Sequence, residues 1–283
     1  MIFITGATGR VGSALIQALG SRFEVRGACR ETENLLGPTH WTAFDFEKPE
    51  GFEAALDRVD AVFLMRPPQI THAAVFAPFL AALHARNIRR IVMLSVAGAD
   101  RNRLLPHHGI EKLIQHPYFD WTILRPGDFM QNLETVHADS IRQRHEIAVP
   151  AGNGRSAFID VADIGAVGAK VLTGSGHAGK GYHLTGPQAL SFAEIVAILT
   201  EVLARPISYR SPGLWRFIRD QRSDGSPLSL ALIMSALYTI QRFGGAAEVT
   251  NDLKLLLGRD ATRFEAYAIR QRRTWLDADH AAR

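Results

Sequence analysis

The residues best equipped for chemistry are gathered in one short run, Thr5-Gly6-Ala7-Thr8-Gly9-Arg10-Val11-Gly12, where three glycines stand three apart between an apolar stretch and a helical pattern. Glycine at those positions permits a tight turn, a close approach of the backbone to a ligand, and packing of helix against strand, while the helix N-terminus offers N–H groups to an anion. A pyrophosphate is the ligand that suits this arrangement, and a strand before it and a helix after it are the context such a motif requires. The next apolar stretch closes in Cys29-Arg30-Glu31. A carboxylate at that place would accept from the ribose 2′-hydroxyl of NAD. An arginine would instead grip a 2′-phosphate through forked, charge-assisted hydrogen bonds. Arg30, with Arg10 in reach from the glycine loop, favours NADP(H); Glu31, one residue further on, keeps NAD open.

Other chemistries are less well served. The chain has 11 histidines, but no HExxH or comparable pair, so no metal site is expected. Cys29 is the only cysteine, which excludes an intrachain disulfide and reads as a small apolar strand residue. A net charge of +4 comes from 32 basic and 28 acidic residues with no polybasic arm, and Arg270, Arg272 and Arg273 read as a solvated helix face. That balance argues against nucleic acid and suits an anionic small ligand. The apolar run from Ala73 to Leu83 is broken by Pro78 and too short to span a bilayer, and no leader pattern is seen, so a cytoplasmic protein with no membrane partner is expected.

The elements that must position these residues can be read from periodicity. Ile2 to Thr5, Glu24 to Cys29, Trp41 to Phe44, Ala61 to Met65, Arg90 to Ser95 and Thr122 to Leu124 are strand-like. Helical patterns fall between them at Val11 to Leu19, Gly51 to Arg58, Thr71 to Arg86 and Leu105 to Gln115. Strand and helix in alternation call for a parallel sheet covered on both faces, the doubly wound Rossmann architecture of the α/β class. After Pro126 the rhythm changes. A helix is expected over Phe129 to Arg144, another over Asp160 to Leu172, a short strand at Tyr182 to Leu184, and a helix at Ser191 to Ala204 with Ser191 and Glu194 as a capping box. Beyond Pro212 the pattern is helical, with an apolar segment from Leu228 to Phe243 between glycine-containing turns that reads as core or as a pocket wall. The 283 residues therefore divide into a nucleotide-binding domain over 1–150, with 155–185 returning to its sheet, and a smaller, mostly helical substrate region over 186–283.

Taken together, Thr5 to Gly12, Arg30, Leu124-Arg125-Pro126-Gly127 with Phe129 and Asn132, and Gly258-Arg259 leading to Phe264 and Trp275 resemble the NmrA-like family of atypical short-chain dehydrogenase/reductase proteins, over nearly the whole chain. The resemblance implies a Rossmann domain that binds NADP(H) and a smaller C-terminal substrate region. Family members include quinone oxidoreductases, triphenylmethane dye reductases and festuclavine dehydrogenase-like enzymes, beside regulators that bind the nucleotide without turning it over. It further implies that Asp45 and Phe46 contact adenine, that Leu64, Met65 and Arg66 run along the cofactor, and that Ser95 lies near the nicotinamide ribose. Pro126, Gly127 and Phe129 would surround the nicotinamide. Lys112 would hold ribose hydroxyls, unless it is a solvated helix lysine.

One departure bears on catalysis. Typical short-chain dehydrogenases pair a tyrosine with a lysine four residues later, where the ammonium lowers the phenol pKa. The residues four beyond Tyr118, Tyr182, Tyr209, Tyr238 and Tyr267 are Thr122, Gly186, Gly213, Arg242 and Gln271. Four residues before Lys112 stands His108, which could donate a proton near neutral pH or could simply begin a helix beside His107. Without a tyrosine, an acceptor that is already electron-poor is the better substrate. The sequence thus points to an NADPH-dependent reductase of flat conjugated acceptors, a quinone first among them, bound between the Rossmann edge and the helical C-terminal region. Imine, iminium or dye reduction is one alternative, and a nucleotide-sensing regulator acting on a protein partner is another. Pairing of the last helices would allow a homodimer.

Overall fold

The computed structural model describes residues 1–30 and 39–276, so Glu31 lies outside the described residues. The chain divides into two compact units. Unit 1 comprises Met1–Pro126, Val161–Leu184 and Asp252–Arg259; unit 2 comprises Gly127–Asp160, Thr185–Asn251 and Asp260–Arg283. The boundary thus falls directly after Pro126, where the sequence reading had placed it at residue 150.

Unit 1 is built on seven parallel strands: β1 (Ile2–Ile4), β2 (Val25–Cys29), β3 (His40–Ala43), β4 (Ala61–Met65), β5 (Arg90–Leu94), β6 (Asp120–Pro126) and β7 (Lys180–Leu184). Their order is β3-β2-β1-β4-β5-β6-β7, and every neighbouring pair runs parallel. The order reverses between β1 and β4, which is the crevice where doubly wound sheets bind nucleotides at the strands' carboxyl ends. Four longer helices cover the sheet: α1 (Arg10–Leu19), α2 (Ala77–Ala85), α3 (Pro106–Ile114) and α4 (Val161–Thr173). Alpha-4 packs unusually close to α1. A Cβ on Gly165 would stand 2.6 Å from the Ala14 carbonyl carbon, and one on Gly168 would stand 3.2 Å from Leu15 Cδ1. Under the sheet's other face, Phe3, Phe44, Phe46, Phe52, Phe76 and Phe79 form a continuous aromatic cluster with ring centroids 4.6–6.1 Å apart.

Unit 2 holds the helices α5 (Phe192–Leu203), α6 (Leu214–Ser223), α7 (Leu228–Arg242) and α8 (Phe264–Gln271), with two small two-stranded pairings. The capping box at Ser191 and Glu194 forms as its spacing predicts. The single helix expected over Phe129 to Arg144 does not. Phe129 instead bridges Ile159 in extended conformation, and Met130 N–H donates to the Ile159 carbonyl at 2.9 Å. Helical turns follow only at Asn132–Thr135 and Ser140–Arg144, because backbone pairing to a segment thirty residues away outbids the local apolar periodicity. The core gathers Phe217, Phe264, Tyr267 and Trp275, with the Trp275 indole N–H donating to the Leu133 carbonyl at 2.8 Å.

Candidate functional site

Along the carboxyl edge of the unit 1 sheet, each strand delivers its residue to the same side. From β1 come Gly6, Thr8, Gly9 and Arg10, all exposed. Gly6 has φ +60°, a conformation that costs a residue with a Cβ about 1–2 kcal/mol. A Cβ on Gly12 would meet the Gly6 carbonyl oxygen at 2.4 Å and the Ala7 Cα at 2.7 Å, so only glycine lets α1 start this close to the turn. Val11, the second residue of α1, is buried and anchors the helix start. Thr5 ties the turn to the neighbouring strand: its hydroxyl accepts from Met65 N–H at 2.6 Å and lies 3.1 Å from the Met65 carbonyl. This backbone cradle, open at the N-terminus of a ten-residue helix, fits a dinucleotide's pyrophosphate.

Beyond β2 and β3 the edge carries charges of both signs. Arg30 follows β2 directly and is exposed, and it shares a hollow of about 290 Å³ with Phe44, Asp45, Lys48 and Glu50. The Asp45 carboxylate accepts from Glu47 N–H at 3.0 Å, and its carbonyl accepts from Lys48 N–H at 3.1 Å, a tight turn that brings Lys48 to the hollow. Sequence reasoning missed Lys48, since nothing local distinguishes it from a loop lysine. The adenine contact expected of Phe46 meets an obstacle, because its ring is 3% exposed and locked in the aromatic cluster. A larger hollow, about 400 Å³, lies at the opposite, amino-terminal edge around Arg26, His40 and Trp41; there Arg26 is taken up by the carbonyls of Ala54, Ala55 and Asp57.

The middle of the edge differs more from expectation. Leu64 is fully in the core, while Met65 is half-buried with its Cε 3.1 Å from where a Gly6 Cβ would be. Arg66 spends its guanidinium on its own loop, donating to the carbonyls of Pro67, Pro68 and Ile70 and, through Nε, to His107 Nε2 at 3.3 Å. Burial, helped by the Arg66 charge and opposed by Glu111, holds His107 down to about 4. Ser95 is 1% exposed and its hydroxyl donates to Glu111 Oε1 at 2.5 Å. Glu111 in turn takes Arg125 in a forked pair, 3.0 Å from Nε and 2.6 Å from Nη2. Ser95 is thereby committed to a buried ion pair rather than turned outward to a ribose. Gly181 makes room for that pair: a Cβ there would stand 2.3 Å from Arg125 Nη1.

On α3 the His108 ring Nδ1 lies 2.7 Å from the Ala99 carbonyl, to which it donates. Lys112 is exposed, and its ammonium reaches Gln115 Oε1 at 3.4 Å. His108 and Lys112 share a helix, yet it is Glu111 that takes the sheet-facing place one turn beyond His107. Pro126 ends β6 buried, and Gly127 and Phe129, which begin unit 2, are half-buried. Gly258, at φ +68°, and Arg259, which pairs with the buried Asp163 at 2.7 Å, act structurally in unit 1. Among the described residues, no group of three or more histidine, cysteine, aspartate or glutamate side chains stands ready for a metal, and no helix is long and apolar enough to cross a membrane.

Comparison with known proteins agrees with this geometry. A family model described as NAD(P)H-binding matches residues 6–174. The chain is 32% identical over 279 residues to an NAD(P)H azoreductase of Xenophilus azovorans, covering 95% of this chain and 96% of that one. Its fold is similar to the NADPH complex of an NADPH-dependent quinone oxidoreductase of Escherichia coli, with TM-score 0.86, 24% identity, and 96% and 99% of the two chains covered. It is similar also to Citrobacter sp. triphenylmethane reductase complexed with NADP(H), with TM-score 0.84, 23% identity, and 95% and 99% covered. The glycine cradle at the β1/β4 crevice is thus that of a chain which belongs to the NAD(P)H-binding family.

Proposed function

We propose that the protein is an NADPH-dependent reductase that passes hydride to a flat, conjugated, electron-poor acceptor, with a quinone as the first choice. The observation that carries this reading is the joint presence, on one sheet edge, of the glycine cradle and of Arg30 with Lys48 at a single hollow. Two cations there suit a 2′-phosphate. When bound, the dihydronicotinamide supplies the hydride. The protein's own part is to seat the pyrophosphate on the Gly6–Gly12 turn, to hold the 2′-phosphate through Arg10, Arg30 and Lys48, and to place Thr8, Val11, Asp45 and Met65 along the cofactor.

The acceptor class rests on chemistry shared by the relatives. An azoreductase, a quinone oxidoreductase and a triphenylmethane reductase are among the similar proteins, and the acceptors these names imply share a conjugated system that can take up hydride. Such acceptors do not require the tyrosine and lysine pair, which no tyrosine of this chain satisfies. His108, whose ring is oriented by the Nδ1 contact to the Ala99 carbonyl, is assigned to acid catalysis and Lys112 to the ribose. A cytoplasmic location fits a lone, unpaired Cys29. A homodimer through the last helices belongs to the same reading, supported by the exposed aliphatic side of α7 at Leu230, Ile233, Leu237 and Ile240. Turnover of NADPH with a panel of quinones, azo dyes and cationic dyes tests the reading. Tight NADPH binding without turnover of any acceptor favours the nucleotide-sensing alternative instead.

A further inference from the structure

The loop that leaves β4 opens with Pro67 and Pro68, which have no N–H, so it can make few hydrogen bonds of its own. One side chain gathers it instead. Arg66 Nη1 reaches the carbonyls of Pro67, Pro68 and Ile70 at 3.0, 3.0 and 2.7 Å, while its Nε–H donates to Nε2 of His107 at 3.3 Å. A guanidinium has donors only, so His107 Nε2 must be the acceptor and the ring is neutral. Burial, helped by the Arg66 charge and opposed by Glu111, favours the same form.

This contact joins two parts of the cofactor edge. At one end is the nucleotide cradle: the Thr5 hydroxyl holds both the N–H and the carbonyl of Met65, and Met65 Cε stands 3.1 Å from where a Cβ on Gly6 would be. Arg66 is the next residue, at the β1/β4 crevice where doubly wound sheets take nucleotides. At the other end is the first turn of α3, where His107 stands beside His108. A second contact keeps the segments together, because a Cβ on Gly109 would meet Ala73 Cβ at 2.8 Å, so α3 lies as close to the chain after the loop as glycine allows. Cradle, loop and helix all belong to unit 1.

We propose that Arg66 is a positioning residue which, through His107, fixes the loop after β4 as a wall of the NADPH cradle. This rests on the NADPH assignment and changes the part played by Arg66, from a group that touches the cofactor to one that shapes its seat. With the contact broken, the loop must be ordered as the cofactor binds. Affinity then falls in proportion to the fraction of molecules in which the seat is already formed.

Fluorescence titration with NADPH tests this without any acceptor. His107→Leu removes the acceptor and leaves Arg66 its carbonyls; the Kd for NADPH should rise about tenfold, as for a seat formed about one-tenth of the time. His107→Gln, whose amide oxygen can stand in for Nε2, should restore most of the affinity. Arg66→Gln should weaken binding at least as much as His107→Leu. The double variant should be no weaker than Arg66→Gln alone, since both changes break one contact. An unchanged Kd in His107→Leu, or losses that multiply in the double variant, overturns the proposal. So does a His107→Gln variant as weak as His107→Leu, which is the mark of a ring needed only for packing. Failure of the unaltered protein to bind NADPH would instead sink the cofactor assignment.

Discussion

Arg30 and Lys48 make the cofactor assignment testable by single substitutions. A charge-assisted hydrogen bond is worth about 1.5–3 kcal/mol, so Arg30→Glu should raise the KM for NADPH by roughly ten- to a hundredfold. The KM for NADH should change little or improve, as steady-state kinetics with both cofactors will show. At this scale the sequence was most informative where the requirement is local. Gly6, Gly9 and Gly12 are legible because their spacing alone describes the turn. Lys48 was not, because its surroundings come from a distant part of the chain, a hollow closed by the end of β2. Phe46 illustrates the reverse, a residue assigned to the ligand that the aromatic cluster claims for the core.

The strands of unit 1 follow the sequence reading to within two residues at each end, because short apolar runs between turns have few other ways to be buried. Helical phase was harder to read. Counting four residues from His108 reaches Lys112, whereas the structure turns Glu111 inward and leaves Lys112 exposed. The consequence is a buried link from α3 to β5 and β6 through Ser95, Glu111 and Arg125. Arg125→Ala would leave Glu111 charged, 2% exposed and without its partner. Breaking a buried pair in this way costs about 3–5 kcal/mol, which urea unfolding should register as a lower midpoint. Unaltered stability in this variant would mean the pair does not hold α3 in place. The helix expected over Phe129 to Arg144 failed for a comparable reason, since its first residues pair with Ile159 instead.

For the whole molecule, each unit carries a histidine held down to about 4, His107 in unit 1 and His137 in unit 2. Both shifts come first from burial, so the folded chain keeps these rings neutral while the unfolded chain protonates them below its ordinary value of 6.5. Their folded-state pKa is depressed. The stability they confer is therefore complete above that ordinary value and is lost as pH falls toward 4, at up to about 1.4 kcal/mol per pH unit for each ring. Denaturant unfolding across that window should show the slope, and His137→Gln should flatten it. The account as a whole turns on whether bound NADPH is used or only sensed. Loss of NADPH absorbance in the presence of a quinone series measures this directly. We expect turnover that depends on the quinone, prefers NADPH to NADH, and yields hydroquinone in equal amount; stoichiometric NADPH binding with no oxidation by any quinone or dye would contradict it.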